Sequence, residues 1–189
     1  MRFFHLFVGA LGCAALMGAL MACSPTFDWR EAALGGSSRL LFPCKPEQLT
    51  RAVALDGQTL PARMLVCDAQ SVTWAATEFD LADPGVAPAT LTQLRHLLSL
   101  NLGAEESAAA PLAPELRTLG EHVDVQVLRG HRPGGAVVTA RALFFARGEH
   151  LYQLVVLLPD EHNAAAQTAA DQFFEGARWL APRRTPGQP

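Results

Sequence analysis

Leu49-Thr50-Arg51-Ala52-Val53-Ala54-Leu55-Asp56-Gly57-Gln58-Thr59-Leu60 decides the fold. Leu49, Val53 and Leu55, with Arg51 between them, alternate with Thr50, Ala52 and Ala54, the two-residue period of a strand with two unlike faces. The run then meets Asp56-Gly57, the pair that a type I′ hairpin favours because both central residues need a positive φ. Thr59 to Cys67 therefore returns as an antiparallel partner. After a turn around Asp68 to Gln70, Val72 to Phe79 alternates again with β-branched and aromatic residues, extending the meander to a third strand.

On the N-terminal side, Arg39 to Phe42 reads as a strand stopped by Pro43, with Trp29 beginning the ordered body. On the other side, Asp83-Pro84-Gly85 breaks the meander. Pro88 sits well as a first helical residue, Leu91, Leu94, Leu98 and Leu102 recur at helical spacing, and Gly103 is placed to end the helix. Gly103 to Pro114 is an Ala/Pro/Glu-rich surface loop. Val123 to Leu128, Ala136 to Ala146 and His150 to Leu158 follow as strands. A last helix is expected from about His162 to Leu180, with Ala166, Ala170, Phe173, Phe174, Ala177 and Leu180 on its buried stripe. Strands in runs, rather than alternating with helices, predict an α+β fold: an antiparallel sheet of about six to seven strands flanked by two main helices.

The 189 residues carry 15 Lys+Arg against 18 Asp+Glu, and half are hydrophobic. That is too apolar for disorder and too evenly charged for a nucleic-acid partner. The expected organisation is a leader over 1–22, a tether over 23–28, one α+β domain over 29–181 and a tail over 182–189.

The leader is a positive residue, Arg2, followed by an apolar run from Leu6 to Leu20, a secretory signal pattern. It closes in Leu20-Met21-Ala22-Cys23, which resembles the lipobox of bacterial lipoprotein precursors. The resemblance implies a diacylglycerol on the Cys23 sulfur and cleavage between Ala22 and Cys23. The competing readings are an uncleaved membrane anchor and a plain secreted product; all three export the body. Several acyl chains would anchor it firmly without a transmembrane helix. Ser24, where an Asp would favour inner-membrane retention, points to the periplasmic face of the outer membrane.

Cys13 goes with the leader and Cys23 with the lipid, leaving Cys44 and Cys67. Two cysteines in an oxidising compartment read as one disulfide, closing a loop whose constraint stabilises by roughly 3 kcal/mol. A zinc pair would need two further ligands, and a redox pair would usually show C-x-x-C.

Phe42-Pro43-Cys44-Lys45-Pro46, Gly148 to Leu157 with its Leu151-Tyr152-Gln153-Leu154 centre, and Phe173-Phe174 together resemble small uncharacterised proteobacterial lipoproteins. The wider order of elements is similar to the PsbP-like α/β/α sandwich. None of the functional residues of the photosystem-assisting members has a counterpart here, so that resemblance implies a fold and no site.

For chemistry the sequence offers little. G-x-S-x-G is absent, and Gly35-Gly36-Ser37-Ser38 reads as a turn. There is no H-E-x-x-H, EF-hand, Walker or dinucleotide glycine pattern, so no catalytic residue, metal ligand or cofactor is assigned. His122 and Asp124, two apart on a strand, could share a face and chelate, but read more simply as a solvated polar edge. Trp29, Trp74 and Trp179 read as core or rim packing. The sharpest local candidate is Arg129-Gly130-His131-Arg132-Pro133-Gly134-Gly135, where Arg129, His131 and Arg132 on a glycine-rich turn could hold a carboxylate or phosphate. Its competing reading is a solvent-exposed hairpin.

The expectation is thus a non-enzymatic, lipid-anchored binding or accessory protein, meeting the membrane through acylated Cys23 and an envelope protein partner through its body. The first alternative is a small-molecule, glycan or anion-binding module using the Arg129 to Arg132 loop; the second is a small hydrolase. A deep pocket of convergent ionisable groups would favour the enzyme, and a shallow exposed apolar face a protein partner.

Overall fold

The computed structural model describes residues 27–35, 38–55, 57–104, 110–159 and 164–179. The leader, Cys23 and the tail therefore lie outside the described residues. In chain order the strands are β1 (Arg30–Leu34), β2 (Ser38–Phe42), β3 (Glu47–Leu55), β4 (Gln58–Ala69) and β5 (Val72–Asp80). Helix α1 (Ala87–Leu102) follows, then β6 (Glu121–His131), β7 (Val137–Arg147), β8 (His150–Pro159), helix α2 (Ala164–Glu175) and the short β9 (Arg178–Trp179).

Six strands form one antiparallel sheet in the order β3-β4-β5-β8-β7-β6, and β1, β2 and β9 form a second, smaller sheet. The two-residue side-chain period gives the main sheet two unlike faces. Leu65, Trp74, Ala76, Tyr152 and Leu154 point to the first face, where Leu34, Leu40 and Phe42 of the small sheet and Ala170, Phe173 and Phe174 of α2 seal them. Phe79, Phe144, Leu151 and Val155 point to the second, against Ala87, Leu91 and Leu94 of α1. The architecture is the expected α+β sandwich, a sheet flanked by two main helices. Each fully buried aromatic or leucine contributes about 1.5–3 kcal/mol by leaving water.

The helix signals act as read. Pro84–Val86 is a 3-10 turn capped by the Asp83 carboxylate, which accepts from the Gly85 N–H, and it feeds α1 directly. Gly103 ends α1 in the left-handed region, at φ 55°, where a Cβ would be penalised. Cys44 and Cys67 are disulfide-bonded, their Cα atoms 6.2 Å apart, tying the segment after β2 to β4.

Two local expectations are corrected, and one strand is added that the sequence reading does not contain. Arg30-Glu31-Ala32-Ala33-Leu34 has the composition of a helix but is β1, because pairing with β2 across Ala32↔Leu40 outweighs intrinsic propensity. The last helix stops at Glu175 rather than near Leu180: Gly176 turns the chain so that Arg178 and Trp179 pair with Arg39 and Ser38 of β2. Finally, His122 and Asp124 do not share a regular strand face. His122 has φ 53° in a bulge between Glu121 and Asp124, and Asp124 faces α1, 3.5 Å from Arg95.

Candidate functional site

Three places gather functional side chains. The first is a charged network at one end of the sheet. In β5, Val72, Trp74 and Ala76 are buried on the first face, and the same alternation carries Glu78 onto it, only 2% exposed. The antiparallel register sets Arg63 of β4 opposite Glu78 and His150 of β8 opposite Asp80. The Arg63 guanidinium donates to Glu78 Oε1 and to Asp80 Oδ1 at 2.5 Å each, and His150 Nδ1 lies 2.9 Å from the same Asp80 oxygen. Hydrogen bonds to Asp80 and then Glu78 push Arg63 above its ordinary value, against the effect of burial. Burial pushes Asp80 up, but the Arg63 hydrogen bond and charge, followed by the His150 contact, hold it below the ordinary carboxylate range.

Glu78, Asp80 and His150 offer ligand atoms within 4.8 Å of one another. The guanidinium of Arg63 lies where a cation between the two carboxylates would sit, so the network carries its own counter-ion. Gly35 closes it from above: at φ 65° it packs on Glu78 so tightly that a Cβ would overlap the carboxylate. The arrangement is a structural clamp between the small sheet and the main one.

The second place is an open groove of about 650 Å³ bordered by Glu115, Leu119, Arg147 and Glu175. Its charged residues are solvent-exposed, and Arg147 donates to the Leu119 carbonyl at 3.1 Å. Among the described residues no Ser, Cys or His lines it.

The third place is a cleft of about 520 Å³ on the second face, where α1 crosses the sheet without covering it. Leu97 and Leu98 form one wall; Val53, Met64, Ala75 and Leu157 form the other. Its polar lining is Thr77, Asn101 and Gln153, and no charged residue lines it among the described residues. Volume and lining are those of a small-molecule site, which is concave and mostly apolar with a few polar groups.

The anion-binding candidates are divided. Arg132 donates through Nη2 to the carbonyls of Leu157, at 3.1 Å, and Ser71, at 3.3 Å, while its backbone closes the β6–β7 turn on Ala136. Its neighbour Pro133 lines the apolar cleft. Arg129 and His131 are exposed and share their strand parity with Val125, which faces the opposite side of the sheet. One face therefore keeps Arg132, and the three do not converge. Trp74 is fully buried, its ring 6.4 Å from that of Trp29, as core packing.

No family model and no curated protein matches the chain. Among solved structures it is similar to LpqN, described as involved in cell envelope biogenesis of Mycobacterium tuberculosis. The two share 14% identity over 83% of this chain and 93% of that one, with a TM-score of 0.38. A likeness of that degree transfers no site. No helix among the described residues is long and apolar enough to cross a membrane.

Proposed function

We propose that this chain is a non-enzymatic binding protein of the bacterial envelope, anchored by acylated Cys23 at the periplasmic face of the outer membrane, and that it binds an envelope component in the cleft beneath α1. The supporting observation is the cleft itself, an apolar recess of about 520 Å³ beside α1, on the face that α1 leaves partly uncovered, and without an ionisable group in its described lining. Apolar walls bind by removing surface from water and offer neither acid, base nor nucleophile to a substrate. The anchoring rests on Leu20-Met21-Ala22-Cys23 behind an apolar leader.

The test is binding of the neutral apolar dye Nile red to the full chain. Saturable one-to-one binding that Ala75→Trp removes, with the melting transition retained, supports the reading. No binding, or binding indifferent to both Ala75→Trp and a second cleft variant, Met64→Trp, overturns it.

A further inference from the structure

We propose that the occupant of the cleft is a long-chain fatty acid, its hydrocarbon lying between α1 and the sheet and its carboxylate held by Arg132. The proposal rests on the cleft being the binding face and adds what enters it and in which direction.

The cleft is polarised along its length. Leu98 and Ala75 line its middle and ask for hydrocarbon, while Leu157 and Pro133 lie at the end where the β6–β7 turn folds over the sheet. Arg132 stands at that end, fixed by the carbonyls of Leu157 and Ser71. Both acceptors are neutral, so they orient the guanidinium without cancelling its charge. Among the described residues no carboxylate pairs with Arg132, whereas Arg95 and Arg141 each have one and Arg63 has two. A guanidinium carries five N–H donors in a rigid fork, and the two carbonyls share a single nitrogen. The unused edge suits the two oxygens of a carboxylate, and its one positive charge matches one negative charge.

This complementarity, an apolar trough with one half-buried cation beside its end that no carboxylate among the described residues neutralises, selects a single-chain amphiphile with a singly charged head. A neutral glyceride would leave the guanidinium unanswered, and a cationic amphiphile would be repelled. A peptide helix would need a longer open face, with its flanking charges met along the groove, and the described walls carry none.

The experiment uses the full chain with Cys23→Ser, so that no acyl group of its own competes, and titrates it calorimetrically below the micellar limit. Laurate is compared with neutral monolauroylglycerol and with lauroyl lysophosphatidylglycerol. The proposal expects laurate to bind at least about ten-fold more tightly than monolauroylglycerol, from one charge-assisted pair. It expects affinity to rise roughly three- to four-fold per added methylene from decanoate to laurate. Arg132→Gln should erase the preference for laurate, and Arg132→Lys should keep part of it.

Equal binding of laurate and monolauroylglycerol, unchanged in Arg132→Gln, overturns the carboxylate site while leaving the cleft as an apolar binding face. Tighter binding of the lysophospholipid than of laurate overturns the fatty-acid assignment. If neither laurate nor Nile red binds, the cleft reading falls with it.

Discussion

Glu78 is a buried carboxylate held beneath Gly35, with Arg63 as its counter-charge. Removing one member of such a pair strands the other, so Arg63→Met should cost about 3 kcal/mol, read as a fall in the urea midpoint. Asp80 gives a pH prediction. Its folded value is depressed, so its contribution is complete above the unfolded value, about 3.9. That contribution is lost as pH falls through the folded value. Thermal scans from pH 6 downward should show a steeper acid decline in the native chain than in Asp80→Asn; identical slopes would remove Asp80 from the network. The sequence carried the signal for this cluster, since the alternation that buries Trp74 and Ala76 continues onto Glu78 and Asp80. What it hid was the register that brings Arg63 and His150 opposite them.

Among the elements, the register that sets Arg63 opposite Glu78 belongs to the β4–β5 hairpin, whose corner residues Gln70 and Ser71 have φ 53° and 63°. Neither is the Gly or Asn such a turn favours, so the sequence marks this turn less sharply than it marks the one at Asp56-Gly57. Ser71→Gly should therefore stabilise by about 1 kcal/mol, measured by chemical denaturation, because the left-handed conformation costs a glycine nothing. The disulfide between Cys44 and Cys67 spans 23 positions, and the double Cys→Ser variant should lose roughly 3 kcal/mol. α1 was legible because its breaker, leucine spacing and closing glycine agree. β1 and β9 were not, since a five-residue strand of helix-forming residues and a two-residue strand exist only through β2, which supplies their hydrogen bonds.

For the whole molecule, the decisive asymmetry is between the two covers of one sheet. The first face is sealed by the small sheet together with α2, and the second carries α1 alone, leaving a trough beside it. Period-two patterning reveals that both faces are apolar, but it does not reveal how completely each is covered, so the cleft could not be read from the sequence. The charge of Arg132 and its glycine-rich turn are legible in the sequence; its place beside the cleft depends on that turn folding over strands far away in sequence. Cys23→Ser in the producing cell should release the protein from the membrane fraction to the soluble envelope fraction. The most direct measurement of the central claim is mass spectrometry of what accompanies the protein when it is isolated from its native envelope, comparing the native chain with Ala75→Trp. The account predicts a small apolar molecule in near-stoichiometric amount with the native chain and none with the equally folded variant; the same molecules with both, or none with either, would contradict it.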